Sequence, residues 1–253
     1  MRLRSGQTSR SNNNIKKNMK FKFVVLSCDK YLETRIPYLT DSFLLNQSYV
    51  ILTDSKSEKS NIVGYDTPQN YLGIQDKYKR FFLNYDFTTH DYWFFIDDDT
   101  FVNLKNLENL DLKSKENKFC VYKLAYLDEN ALDWDGRYTG YPLNTIQGHE
   151  TELPIKYPSG GSGFILSQSL CIEIQNILRS LSYDMIATSS HSDVTVGFWI
   201  RSAGGELIEN KNFWNTNIEN LEKDGFDNFL NDSITFHHVS EEQMFEYNKK
   251  FNL

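Results

Sequence analysis

The run Tyr92-Trp93-Phe94-Phe95-Ile96-Asp97-Asp98-Asp99-Thr100-Phe101-Val102 decides how this chain reads. Five apolar or aromatic residues lead straight into three carboxylates, and apolar residues resume after Thr100. A strand this apolar wants burial on both faces, as central strands of α/β sheets do. Three carboxylates at its carboxyl end stand together at the edge of the core. There they repel and raise one another's pKa unless a cation joins them. Ligands of open α/β sheets bind beyond the carboxyl ends of the strands. The triplet is therefore the first candidate for a metal and phosphate site; the plainer alternative is an acidic strand-to-loop corner.

Outward from this strand, toward the N-terminus, Phe21 to Ser27 reads as a buried first strand. Lys30 to Leu45 has helical spacing at Leu32, Ile36, Leu39, Phe43 and Leu44, with Pro37 marking a start or a kink inside it. Tyr49 to Thr53 is a second strand running into Asp54. Residues 55–69 read as loop, and Asp76 to Tyr85 as a helix. This β-α-β-α-β order implies parallel strands with right-handed crossovers, hence a Rossmann-like α/β sheet flanked by helices.

Toward the C-terminus, Leu104 to Leu110 is a short helix or turn and Phe119 to Leu127 one strand. Residues 128–148 are mixed. Tyr157 to Ser167 is a glycine turn followed by a short strand, and Ser167 or Ser169 caps a helix running to Leu181. A further helix starts at Ser192-Asp193 and ends at Gly204-Gly205. Strands follow at Glu206 to Glu209 and, after a polar stretch, at Ile234 to Val239. No repeat or linker divides residues 20–253, so one domain is expected, preceded by a disordered basic arm over residues 1–19.

The 253 residues carry a formal charge of -7, which excludes a general nucleic-acid binder, since such a protein needs a basic face. Residues 1–20 have no apolar h-region, so neither a secretory signal nor a transmembrane segment is expected and the setting reads as cytoplasmic. Cys28, Cys120 and Cys171 are too widely spaced for a zinc motif or a disulfide framework.

Two chemistries suit the triplet. A haloacid-dehalogenase-type phosphatase needs D-x-D-x-T, but with Asp97 and Asp99 in register the threonine position holds Phe101. A nucleotide-sugar transferase needs D-x-D to hold a divalent cation against a diphosphate, and hard cations such as Mn²⁺ or Mg²⁺ take oxygen ligands. Gly160, Gly161 and Gly163 let backbone approach a ligand, although a tight turn would use them equally. Asp193 sits at a helix start, where an N-cap is the ordinary role. His237 and His238 end a strand, and a neutral imidazole is a good transition-metal ligand.

Together the segments "WFFIDDDTFVN", "YPSGGSGFILS", "SDVTVGFW" and "TFHH" occur in the order and rough spacing of the Fringe family of β-1,3-glycosyltransferases, which the chain resembles from Lys20 to Ser240. "KYLETRIPYLTDSF" and "YVILTD" are similar to that family's first helical segment and second strand. The resemblance implies a GT-A fold, Mn²⁺ (with Mg²⁺ as substitute), a UDP-sugar donor, a glycan acceptor and inversion at the anomeric carbon. It places Asp99 and His237 on the metal, with His238 as the other choice. Asp98 and Arg35 fall on the donor, Asp97 completes the run, and Ser27 and Asp54 lie at strand ends beside it. Asp193 falls on the catalytic base, and Gly160 and Gly161 on the turn lining the acceptor side. Residues 128–151 are expected to shape the acceptor side. A binding module of the same fold without turnover is the alternative from another functional class.

Overall fold

The computed structural model describes residues 19–55, 57, 59–69, 71–127, 155–180, 191–225 and 229–253. Residues 1–18 of the expected basic arm, the acceptor-side stretch 128–151 and the end of the helix expected to reach Leu181 lie outside them, whereas Met19, expected in the arm, packs against the core.

In chain order the elements are β1 (Phe21–Leu26), α1 (Arg35–Thr40), β2 (Tyr49–Thr53), β3 (Ile62–Gly64), α2 (Tyr71–Asn84), β4 (Tyr92–Asp97), β5 (Phe101–Val102), α3 (Leu104–Glu108), β6 (Phe119–Tyr122) and β7 (Leu124–Leu127). After residues 128–154 come β8 (Ile155–Pro158), β9 (Phe164–Ser167), α4 (Gln168–Ser180), α5 (Ser192–Ser202), β10 (Glu206–Glu209), β11 (Phe213–Trp214), α6 (Ile218–Lys223), β12 (Thr235–Phe236) and α7 (Glu241–Phe251).

Seven strands form the central sheet in the order β10-β6-β9-β4-β1-β2-β3. The expected parallel half is present: β1 pairs in parallel with both β2 and β4, and β2 with β3. The other half mixes directions, because β9 runs antiparallel to both β4 and β6. The strand order places β4 near the middle, with helices or loops over both faces. Phe94 and Ile96 enter one core cluster, together with Phe23, Phe43, Phe101 and Phe236. Trp93 and Phe95 enter the other, against Phe81 and Phe82 of α2 and Trp199 of α5. This two-sided burial is why the strand shows no polar alternation. Each such side chain contributes about 1.5–3 kcal/mol on leaving water. Phe95 also stacks on Phe164 at 5.0 Å between ring centroids, tying β4 to its antiparallel neighbour.

Several sequence expectations change. The helix expected over Lys30 to Leu45 is α-helical only from Arg35 to Thr40. Pro37 falls in its first turn, where its missing N–H breaks no intrahelical bond. The strand expected over Phe119 to Leu127 is interrupted at Lys123, and β7 leaves the central sheet to pair with β8. The polar loop 55–69 contains the edge strand β3. Ser167 does cap α4, accepting from the Leu170 N–H at 3.4 Å. The helix α7 was not anticipated, although Ser240 and Gln243 form a reciprocal capping box at its start that the sequence carries as S-x-x-Q. Among the described residues no helix is long and apolar enough to cross a membrane.

Candidate functional site: an Asp/His cluster between two cavities

Parallel register brings three strand ends to one place, since Leu26 of β1 lies beside both Leu52 of β2 and Asp97 of β4. Ser27, Asp54 and Asp98 follow directly. Ser27 Oγ donates to Asp98 Oδ2 at 2.7 Å, and Arg35 Nη1 donates to Asp98 Oδ1 at 2.7 Å. Both oxygens of Asp98 are thus held. Burial nevertheless raises the Asp98 pKa, the two hydrogen bonds offsetting part of the effect. The Arg35 guanidinium also lies 3.6 Å from Asp99, 3.8 Å from Glu241 at the start of α7, and over the Tyr31 ring at 4.0 Å.

The C-terminal histidines reach the triplet through a small second sheet. β5, which continues from Thr100, pairs antiparallel with β12, so that Phe101 lies opposite Phe236. The next residue, His237, presents Nε2 at 3.1 Å from Asp99 Oδ1 and 3.8 Å from Asp97 Oδ2. Its other ring nitrogen, Nδ1, is 3.1 Å from Asn215 Oδ1. His238 is exposed, at a left-handed φ of 57°, with Nδ1 3.9 Å from Asp99 Oδ2. Asp99, His237 and His238 can each offer one ligand atom, and these atoms lie within 4.8 Å of one another.

The carboxylates differ in their electrostatics. Burial pushes Asp97 up to about 7, with Asp99, Asp98 and Asp193 adding to the rise against the pull of His237. Asp99 ends below the ordinary carboxylate range: burial raises it, but the His237 hydrogen bond and the His237, Arg35 and His238 charges outweigh burial. His237 moves the other way, since its contacts with Asp99 and the neighbouring aspartates overcome burial and raise it. Arg35 and His237 are the cationic groups that meet Asp98 and Asp99 in the structure.

The glycine turn between β8 and β9 forms the next wall. Thr100 Oγ1 donates to the Gly161 carbonyl at 2.8 Å, and Thr235 Oγ1 to the Ser162 carbonyl at 2.7 Å. The threonine that failed the phosphatase pattern is thus a brace for this turn. Gly161 has no room for a side chain: a Cβ there would lie 2.2 Å from His237 Cε1. Gly160 donates its N–H to Asp193 Oδ2 at 3.3 Å. Asp193 is not the N-cap of α5; His191 holds that position, and Asp193 stands in the first turn with its carboxylate toward the glycine turn. Burial raises its pKa, partly offset by the Gly160 and Val194 N–H groups.

Two cavities meet at this cluster. The first, of about 440 Å³, is lined by Ser27, Tyr31, Arg35, Asp54, Lys77 and the three aspartates, among others. The second, of about 340 Å³, is lined by Tyr157, Gly160, Gly161, His191, Asp193 and Asn215, among others. Asp97 and His237 line both, and the Asp97 side chain is 31% exposed between them. All ten sequence-chosen site residues therefore fall on one connected pair of cavities.

Two residues escaped the sequence reading. Lys77 lies in the buried wall of the first cavity, its Nζ 2.6 Å from Asp54 Oδ1 and donating to the Ser27 carbonyl at 2.6 Å. Its signal was a lysine on the apolar face of α2, in line with Ile74, Tyr78 and Phe81. Asn215 lies in a polar stretch with no pattern to mark it.

A mixed α/β sheet with an acidic, histidine-bearing cluster at its strand ends defines a class of ligand-binding α/β proteins. A family model described as Fringe-like matches residues 17–253, so the chain belongs to the Fringe-like family and is a glycosyltransferase, as its motifs led us to expect. No curated protein matches it by sequence. Among solved structures, the chain is similar to a glycosyltransferase involved in the glycosylation of the major capsid of PBCV-1, at 12% identity and a TM-score of 0.42, covering 91% of this chain and 98% of that one. It is also similar to the glycosyltransferase GlyE of Streptococcus pneumoniae TIGR4, at 9% identity and a TM-score of 0.45, covering 90% of this chain and 61% of GlyE. The chain thus spans less than two thirds of the GlyE length.

Proposed function

We propose that this glycosyltransferase is metal-dependent and inverting, moving a sugar from a UDP-sugar to a hydroxyl of a glycan acceptor. The observation that carries the reading is the separation of tasks around one cluster. Asp99 lines the first cavity beside His237, which lines both, and Asp193 faces the second cavity only.

The donor set fits a transition-metal cation. A carboxylate oxygen with an imidazole nitrogen suits Mn²⁺ better than Mg²⁺, which prefers oxygen ligands throughout. Asp99 and His237 would hold it, with His238 near enough to join. When bound, such a cation supplies Lewis-acid neutralisation of charge on a diphosphate leaving group.

The chain's own residues account for the rest. Arg35 and Ser27 hold Asp98 in a fixed orientation at the first cavity, which suits a donor contact that must not move between turnovers. Asp97, with no hydrogen-bond donor on its carboxylate among the described residues, faces the space where the two cavities join. Asp193 acts as general base, taking the proton from the acceptor hydroxyl as its oxygen bonds to the anomeric carbon and the bond from that carbon to the UDP oxygen breaks, the electron pair leaving with UDP. Its raised pKa makes it a stronger base than an ordinary carboxylate. A single displacement needs no covalent nucleophile, and this scheme uses none.

The test is a UDP-release screen over a panel of UDP-sugars with Mn²⁺. One donor is expected to show slow hydrolysis without acceptor, and Asp99→Ala to remove it. Absence of Mn²⁺-dependent UDP binding and of release from every donor would sink the reading. UDP binding that persists with no release or transfer would favour a binding module instead.

A further inference from the structure

His237 is held by a turn that lies outside every recognised motif. Parallel pairing of β11 with β12 sets Trp214 beside Phe236, which brings Asn215 level with His237. The turn holds the histidine twice. The His237 backbone N–H donates to the Thr216 carbonyl at 3.1 Å, and ring Nδ1 lies 3.1 Å from Asn215 Oδ1. On another side, Gly161 leaves room for the ring and nothing more.

A neutral imidazole carries one proton, and the hydrogen bond on one nitrogen decides which nitrogen keeps a free lone pair. A carboxamide oxygen only accepts, so Asn215 Oδ1 keeps the proton on Nδ1. That leaves Nε2, the atom hydrogen-bonded to Asp99 Oδ1 at 3.1 Å, as the nitrogen that a cation can take over from that hydrogen bond. We infer that Asn215 is a positioning residue that fixes the Nδ1–H tautomer and ring orientation of His237 for binding a divalent cation with Asp99. This rests on the metal reading given above. Such outer partners of a ligating histidine raise metal affinity without touching the metal.

The experiment uses the full chain with ¹⁵N-labelled histidine. Long-range ¹H–¹⁵N correlation reads the His237 tautomer, and the EPR signal of free Mn²⁺ reads affinity. Asn215→Leu and Asn215→Ala are expected to shift His237 toward the Nε2–H form and to weaken Mn²⁺ binding about 10–100-fold. Asn215→Asp, which keeps an acceptor oxygen, is expected to restore both. A wild-type tautomer and affinity in both apolar variants would overturn the assignment. So would an Asp variant no better than Leu, because the asparagine would then be filling space. Wild-type protein that shows the tautomer response but binds no Mn²⁺ would overturn the metal reading itself, by a distinct signature.

Discussion

The two cavities that meet at Asp97 and His237 are walled in different ways. The first is built from strand ends and charge. Asp98 is held by Ser27 and Arg35, and Asp54 by Lys77, with Lys77 and Asp54 only 2% and 4% exposed. The second is built from a glycine turn and a helix start, and Asp193 takes its hydrogen bonds from backbone N–H groups. Side-chain networks of the first kind hold charged groups rigidly and cost stability when broken. Backbone donors of the second kind favour the ionised carboxylate and partly offset the burial that raises its pKa. On the proposed reading, the first wall handles the anionic donor and the second the proton transfer.

The largest effect that can test this division is Asp193→Asn. Transfer should fall about 10²–10⁴-fold, the usual worth of a general base, while Mn²⁺-dependent UDP binding by calorimetry stays as in wild type. An equal loss of UDP binding would erase the distinction between the walls. Next is Lys77→Met, which leaves the Asp54 carboxylate buried without its partner. The expected cost is about 3–5 kcal/mol of stability by denaturant unfolding, as for other broken buried pairs, whether or not substrate is present.

Gly161→Ala probes the join itself. The added methyl must displace the His237 ring, so Mn²⁺ affinity should drop about tenfold or more, with a smaller change at Gly160→Ala, where a Cβ would sit 3.4 Å from Asp193 Cβ. The pH profile sharpens the second wall. A base must be unprotonated, so activity present at neutral pH is lost as pH falls through the Asp193 pKa. Because burial raises that pKa, the acid limb of kcat should lie above the ordinary carboxylate range. The smallest effect is expected at His238→Ala, a change of about threefold or less in Mn²⁺ affinity, since this exposed ring is farthest from Asp99 and exposed ion contacts are weak.

How much was legible in the sequence follows from the range of each interaction. The strand Tyr92–Asp97 was readable because burial on two faces demands an unbroken apolar run, and the triplet because its charges are contiguous. Asp193 was readable as a residue of interest but not as a partner of Gly160, which lies 33 positions away; local pattern alone favoured an N-cap. The direction of β9, the break at Lys123 and the placing of α7 over Arg35 depend on packing between distant segments, and no local period encodes them.

The sequence by itself determined the family, the parallel first half of the sheet and the list of acidic and histidine residues, since these follow from apolar periodicity and contiguous motifs. Only the tertiary structure decided what each residue faces. Pairing of β5 with β12 brings His237 to Asp99, and pairing of β11 with β12 brings Asn215 to His237. Lys77, one of two buried lysines of α2, becomes the partner of Asp54. These are contacts between side chains far apart in the chain, and only the folded backbone supplies them.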